Sequence, residues 1–324
     1  MTAVETLGSL GEAAVLARIF PLLPEAAGQH LGPGDDAAVL ATPDGRVVIT
    51  TDMMIHGPDF RLAWSSPTDL GWKAAASNLS DIAAMGAVPT ALVVALAAPA
   101  ETPIEVLESF ADGLRLGCEE LAPGCGVIGG DLSVSSVLTI AVSAFGDLEG
   151  RQPVLRSGAR LTDIVAVSGS LGEAAAGLRL LFERGVVDGE PDAVAAAALA
   201  SEHPEAIAAQ LRPHPPIADG RAAAIAGATS MIDISDGLAI DARRVAAASA
   251  VAIDLSSLAV GSREALDGGE DHALLATFPD GTVLPAGFRP VGAVTVGSGL
   301  FVDGQPYDAS SGWDPYSGWD GAAG

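Results

Sequence analysis

Aspartates stand at the ends of apolar and small-residue segments throughout this chain, and their placement constrains the fold more than any other feature. Asp35 and Asp36 follow Gly32-Pro33-Gly34, and Asp52 ends the run Val47-Val48-Ile49-Thr50-Thr51. Asp81 lies among small residues, Asp131 follows Gly129-Gly130, and Asp233 and Asp236 flank Ser235 in Ile232-Asp233-Ile234-Ser235-Asp236-Gly237. Carboxylates gathered at such ends repel one another unless paired, and few Lys or Arg lie near enough to neutralise them. Hard divalent cations bind oxygen clusters of this kind, and magnesium bridging to phosphate oxygens is their common enzymatic use. Turn or helix-capping duty explains Asp36 or Asp236 equally well when each is taken singly. It explains the whole set less well, because several members interrupt hydrophobic segments.

The charge balance narrows the chemistry further. With 41 acidic against 16 basic residues the net charge is −25, too few cations for a nucleic-acid-binding patch. Lys73 is the only lysine, and it stands in neither a Walker-type phosphate loop nor a protein-kinase ATP site. Phosphate handling by this chain must therefore rely on metals and backbone amides. Cys118 and Cys125, the only cysteines, lack zinc or C-x-x-C spacing and read as reduced, partly buried thiols. Met1 to Phe20 reads as an ordinary helix and not a signal peptide, and the most apolar stretch, Ala83 to Ala98, is broken by Gly86 and Pro89. The expectation is a soluble, cytoplasmic protein with no membrane or nucleic-acid partner.

A length of 324 residues suits two domains. Strand–helix–strand alternation on both sides of a polar stretch at Gly146, Gly150 and Pro153 predicts α/β (mixed α+β) domains over 1–149 and 150–324. In the first, a strand runs into Asp52. A helix follows with Ser66 as N-cap and Pro67 at its first position, placing Ala74, Ser77, Asn78 and Asp81 on one face. Then come a strand over Ala91–Ala98, a helix over Ile104–Leu121, a short strand Val127-Ile128 stopped by Gly129-Gly130-Asp131, and a strand over Leu138–Phe145. The second half reads as strand Ile164–Val167, helix Leu171–Arg184, an alanine-rich helix within Val187–Leu199, and a helix from Pro216 to Ala226. Strand Met231–Ile234, helix Asp236–Ala248, strands Ala252–Leu255 and Ala273–Phe278, and a Gly-, Ser- and Asp-rich tail complete it.

Other candidates are less specific. Ser168 to Gly172 has the form of a phosphate-cradling strand-to-helix turn, although a simple tight turn accounts for it. Gly129-Gly130 would admit close backbone approach to a nucleotide, and Arg156 is a loop cation suited either to an anion or to solvent. The five histidines show no metal-ligand spacing, and no Ser-His-Asp order stands out.

Six motifs occur in one order: Gly34-Asp35-Asp36-Ala37, Thr50-Thr51-Asp52, Asn78-Leu79-Ser80-Asp81-Ile82-Ala83-Ala84-Met85-Gly86, Gly129-Gly130-Asp131, Ile232-Asp233-Ile234-Ser235-Asp236-Gly237-Leu238 and Gly268-Gly269-Glu270-Asp271. The ordered set resembles the thiamine-monophosphate kinases and covers nearly the whole chain. The resemblance implies ATP-dependent conversion of thiamine monophosphate to thiamine diphosphate. It also implies a two-domain fold shared with aminoimidazole ribonucleotide synthetase and selenophosphate synthetase, whose N-terminal domains pair their sheets in a homodimer. By the family's pattern Asp35, Thr50, Thr51, Asp52, Asp81, Asp131 and Asp233 would hold several magnesium ions, and Asp236 a further one. Gly130, Asp131, Arg156 and Ser235 would contact ATP, while Glu270 and Trp313 would contact the thiamine part.

Phosphoryl transfer between two polyanions needs charge neutralisation and in-line positioning more than covalent chemistry. The acceptor phosphate is already ionised, so no general base is required. Where the family carries a substrate-contacting histidine before a phenylalanine, this chain has Asp59 before Phe60. A carboxylate beside a phosphorylated substrate would cost roughly 1 kcal/mol or more of binding, unless it faces the cationic or amino-bearing part of thiamine. Selenophosphate synthetase would want a reactive Cys near the N-terminus, whereas the first cysteine here is Cys118; the purine enzyme would lack the Gly-Gly-Glu-Asp context. A catalytically dead, metal-binding relative is the reading from another class, and retention of the aspartate set argues against it.

Overall fold

The structure, a computed structural model, describes residues 4–33 and 37–308. Asp35 and Trp313 therefore lie outside the described residues. Short helices α1 (Leu7–Leu10) and α2 (Glu12–Ile19) precede a two-stranded ladder of β1 (Gln29–Leu31) and β2 (Val39–Leu40). A four-stranded sheet follows, made of β3 (Val48–Ile55), β4 (Val88–Ala98), β5 (Gly126–Val134) and β6 (Thr139–Asp147) in the order β3-β6-β4-β5. Its long helices are α3 (Pro67–Ala84) and α4 (Ile104–Leu121). The parallel pair β4 and β5 is joined through α4, the kind of crossover that parallel neighbours require.

The second half contributes β7 (Ile164–Ser168), α5 (Glu173–Arg184), the hairpin β8 (Val186–Val187) and β9 (Glu190–Pro191), α6 (Ala193–Glu202), α7 (Pro204–Leu211) and α8 (Ile217–Ile225). After them come β10 (Ser230–Ile234), α9 (Leu238–Ser249), β11 (Ala252–Leu255), α10 (Ser257–Val260), α11 (Arg263–Asp267), β12 (Ala273–Phe278), β13 (Arg289–Thr295), β14 (Gly299–Val302) and β15 (Gln305–Pro306). Seven of these strands form one sheet in the order β10-β12-β7-β13-β11-β14-β15. The fold class is mixed α/β, as expected.

Helix α3 sits between the two sheets. Ser66 and Asp69 form a reciprocal cap at its start, Pro67 occupies its first turn, and fourteen of its eighteen residues are buried. On one side it packs on β3, β6 and α4, and on the other on α8, β10 and β12. Alternation along the strands decides which residues meet it. On the seven-stranded sheet Ala166, Met231, Leu274, Ala276 and Phe278 join the core around α3. Their neighbours Val165, Val167, Ile232, Ile234 and Leu275 turn to the opposite core against α9. Asp233 shares the parity of Met231, so it too faces α3. From the four-stranded sheet, Val48 and Met54 pack on the same core, and Thr50 and Asp52 lie between them on that face.

Two close approaches explain glycines that the sequence presents as mere punctuation. A Cβ at Gly130 would lie 2.0 Å from the Val94 carbonyl oxygen. The strand expected to stop at Ile128 instead runs through Gly129-Gly130-Asp131 to Val134, with a register shift that bulges it at Ile128. Helices α3 and α4 cross backbone to backbone at Gly71 and Gly113, where added Cβ atoms would meet Phe110 O at 2.1 Å and Thr68 O at 2.2 Å.

Other expectations also change. The alanine-rich helix begins only at Ala193, because Val186 to Pro191 fold as a hairpin, and α7 follows it. The helix expected from Asp236 begins at Leu238, after Gly237 turns the chain at φ 115°. The strands from Arg289 to Pro306 are short and broken by glycines, so they left no extended alternating pattern to read. Gly113→Ala should lower stability by about 1–3 kcal/mol, read as a fall in the thermal midpoint, because neither helix backbone can yield alone.

Candidate active site

A cleft of about 430 Å³ opens where α3 passes between the sheets. Its acidic end collects Asp52 from β3, Asp81 from α3, Asp233, Ser235 and Asp236 from the end of β10, and Glu270 from the loop before β12. Thr50 donates its hydroxyl to Asp81 Oδ2 at 2.7 Å, and the Asp52 backbone N–H reaches Asn78 Oδ1 at 3.2 Å, so β3 is latched onto α3 here. Across the helix, Ser80 Oγ lies 3.4 Å and His272 Nδ1 3.6 Å from Asp233 Oδ2. Asp236 is held by Arg244 at 2.6 Å, and Arg244 also grips Asp241 at 2.6 Å.

The electrostatics are those of an under-neutralised anion cluster. Burial, then the charges of Asp233 and Asp52, push the Asp81 carboxyl up to about 7, against the hydroxyl of Thr50. Burial also raises Asp52, with Asp233, Glu270 and Asp236 adding to the effect and His272 opposing it. Asp241, under the same cluster, is pushed up to about 7 by burial and by Asp233, although Arg244 pulls it down. For Glu270, burial acts upward, but the Lys73 ammonium 2.5 Å away and His272 hold its carboxyl below the ordinary value. Burial lowers the His272 imidazole, and its hydrogen bond to Asp233 and the charge of Glu270 more than reverse that.

The donor set fits magnesium. Every candidate atom is a hard oxygen, and the carboxylates lack enough cations to balance them. Among the described residues no group of three His, Cys, Asp or Glu side chains stands ready to cage a metal alone. Magnesium does not demand such a cage, since one or two carboxylates, waters and substrate phosphates usually complete its octahedron.

Asp52, Asp59, Asp81, Asp233, Ser235, Asp236 and Glu270 line the cleft together. Thr50 reaches it through Asp81, whereas Thr51 points to the other face of β3, where its hydroxyl meets Val142 O and Ser143. Asp131 is exposed and lies opposite Ala95 on β5. The cross-sheet register sets Asp52 in one row with Val142, Val94 and Gly130, three strand spacings or ~14 Å along the sheet. Arg156 is exposed outside the cleft, its carbonyl accepting the Ser249 hydroxyl.

Sequence reasoning missed Lys73, His272, Arg61 and Trp64. Lys73, Ser77 and Asp81 fall at four-residue steps, which places the only lysine on the Asp81 face of α3; that signal was available. The other end of the cleft is apolar, walled by Phe60, Trp64, Leu178, Leu181 and Phe182.

The first half of this arrangement carries the signature of the AIR-synthase-related class. Residues 34–148 match the family described as AIR synthase related protein, N-terminal domain. The hydrogenase maturation protein HypE solved with ATP has the same fold at 16% identity, with a TM-score of 0.64 and coverage of 95% of this chain and 97% of that one. Within the class, this chain belongs to the thiamine-monophosphate kinase family. It is 43% identical to the thiamine-monophosphate kinase of Mycobacterium tuberculosis over 329 residues, which cover 96% of this chain and 93% of that protein. The structure of AaThiL complexed with AMPPCP and TMP superposes with a TM-score of 0.71 at 32% identity, covering 97% of this chain and 99% of that one.

The raised Asp81 value makes a signed prediction. A carboxyl at about 7 in the folded chain against 3.8 ordinarily holds its proton more tightly when folded. That contribution to stability is present in acid and is lost as pH rises from about 4 to about 7. In chelator, Asp81→Asn should therefore melt several degrees above wild type at pH 8, with the gap narrowing towards pH 5. An equal gap at both pH values would contradict the assignment.

Proposed function

We propose that this chain phosphorylates thiamine monophosphate to thiamine diphosphate at the expense of ATP. A phosphate oxygen of thiamine monophosphate attacks the γ-phosphorus in line, the bond to the β-phosphate oxygen breaks, and ADP leaves. The observation that carries this reading is the convergence of Asp52, Asp81 and Asp233 on α3 in a cleft with an apolar far end, in a chain alike over nearly its whole length to thiamine-monophosphate kinases. Magnesium, when bound, supplies the neutralisation that brings two polyanions together. Asp35, Thr50, Thr51, Asp52, Asp81, Asp131, Asp233 and Asp236 would hold it. Gly130, Asp131, Arg156 and Ser235 would contact ATP, and Glu270, Asp59 and Trp313 the thiamine part.

Purified protein given ATP, magnesium and thiamine monophosphate should form thiamine diphosphate and ADP in equal amounts. ATP consumption indifferent to thiamine monophosphate would sink the reading.

The division of the metal-holding set between two faces of one sheet supports a composite site. We take 1–149 as the ATP, magnesium and dimerisation domain and 150–324 as the second α/β domain. Both β3 and β5 are edge strands of the four-stranded sheet, and Ile49 and Met53 expose apolar surface on β3, as Val134 does on β5. Pairing β3 with the β5 edge of the same sheet in a second copy would bring Asp131 of the partner subunit to the Asp52 edge. A cytoplasmic setting is supported by the two free, buried cysteines, Cys118 and Cys125; no described helix is long and apolar enough to cross a membrane.

The position of Asp59 favours the second of the two expectations for it, contact with the cationic part of thiamine. Its Oδ2 accepts the Ile55 N–H at 2.7 Å. Burial raises its carboxyl, with the charge of Glu270 adding to the effect and the Ile55 N–H and the Lys73 charge opposing it. That setting beside Glu270 and Lys73 supports a contact between Asp59 and the cationic ring of the substrate. Asp59→Asn, which keeps an oxygen for Ile55, should raise KM for thiamine monophosphate about five-fold; a lowered KM would restore the repulsive role.

The composite site has its own test. Asp81→Asn and Asp131→Asn should each be inactive alone. Mixed, with subunits exchanged, they should recover roughly a quarter of wild-type turnover, because half the dimers hold one intact site. No recovery would place both residues in one subunit's site.

A further inference from the structure

Arg61 is the one arginine lining the cleft. In a chain where most arginines hold a carboxylate, its guanidinium has no hydrogen-bond or ion-pair partner among the described residues. It is held instead by two rings, 5.2 Å from the Trp64 centroid and 5.3 Å from that of Phe182. Those rings meet edge-on at 5.0 Å, and Trp64 is itself pinned by its Nε1–H bond to Gly185 O at 2.8 Å. A stacked guanidinium loses little freedom on binding and leaves its planar edge of donors for a ligand.

The order of groups along the cleft limits what that ligand group is. Lys73 stands about two turns before Asp81 on α3, so the Lys73–Glu270 pair lies along the helix from Asp52, Asp81 and Asp233. Asp59 is near that pair, and Phe60, Arg61 and Trp64, from the segment leading into the start of α3, lie further on with Phe182. Thiamine monophosphate carries three parts in sequence: a phosphate, a cationic thiazolium ring and an uncharged aminopyrimidine ring. Its phosphate must lie at the carboxylate end for transfer through metal. A guanidinium would repel the thiazolium, which the carboxylates of Glu270 and Asp59 suit. The remaining part, planar and bearing ring-nitrogen acceptors, matches an arginine edge inside an aromatic wall.

We propose that Arg61 is a specificity-determining residue that donates hydrogen bonds to the ring nitrogens of the substrate's aminopyrimidine, with Trp64 and Phe182 fixing its plane. The inference rests on the kinase reading above and names the residue that separates the whole substrate from its thiazole half.

The test compares two acceptors, thiamine monophosphate and the thiazolium ethyl phosphate lacking the pyrimidine, in wild type, Arg61→Met and Arg61→Lys. Wild type should favour the whole substrate in kcat/KM. Arg61→Met should shrink that preference about ten-fold or more, through KM, with KM for ATP held. Arg61→Lys should behave like Arg61→Met, because an ammonium lacks the planar fork. Equal losses on both acceptors, or full function in Arg61→Lys, would overturn the inference while leaving the reaction standing. Absence of thiamine monophosphate turnover by wild type would instead overturn the reaction, and this assignment with it.

Discussion

Charge carried by a buried helix is the constraint on which the site depends. Helix α3 has to fill the space between two sheets, so most of its buried residues are alanine, leucine or glycine. Along one stripe it also brings Lys73, Ser77 and Asp81 into the interior. Lys73 is matched by Glu270 at 2.5 Å. Asp81 has only a threonine hydroxyl at 2.7 Å, while Asp52 and Asp233 press on it from either side. A buried carboxylate without a cation costs several kcal/mol unless it takes a proton or a metal. The protein thus tolerates a local instability at the place where function demands a cation, and packing elsewhere along α3 offsets it.

How α3 is tied down explains why that arrangement stays fixed. Trp72 Nε1 donates to Pro213 O at 2.8 Å and Lys73 Nζ to Gln210 O at 3.2 Å, and Arg212 pairs with Asp69. These bonds fasten the first half of α3 to the end of α7 and the segment after it, so the apolar end of the cleft is set by the same helix that sets the acidic end. Glu270 and His272, which face α3 from the other sheet, both adopt positive φ, at 71° and 52°. Non-glycine residues hold that conformation at a cost of order 1–3 kcal/mol, and do so where surrounding contacts over-determine them. Here the Glu270 N–H bond to Ser235 O and the His272 N–H bond to Ile234 O, with Lys73 opposite, do so.

Much of this was legible in the sequence, for identifiable reasons. The cap Ser66-Pro67 and the small-residue face of α3 announce a buried helix, and the ordered aspartates announce an anion cluster awaiting cations. The strand ends at Asp52 and Asp233 are visible because polar residues close apolar runs. What escaped is information held in partners distant along the chain. Gly130 looks like a stop until Val94 is set against it. Arg61 and Trp64 look like loop residues until Phe182 and Gly185, over a hundred positions away, close on them. Lys73 was excluded from phosphate loops correctly, yet its step of eight to Asp81 already placed it on the site-bearing face.

Lys73 also shows how this cleft differs from lysine-based phosphate sites. In a phosphate loop the ammonium stays free to meet the nucleotide, whereas here it is bonded to Glu270 and Gln210 and is buried. A neutralised ammonium adds little attraction for a polyanion, so the acidic end of the cleft repels bare phosphates as it stands. On the proposed reading, entry of ATP would therefore depend on cations that arrive with it or before it. A site of this design gains selectivity from repulsion: a phosphorylated ligand that does not bring or bridge metal meets Asp52, Asp81 and Asp233 unshielded. On that reading, magnesium would then be the admission requirement as well as the neutralising charge. The uncompensated aspartates that weaken the empty fold are the same groups that keep the wrong anions out.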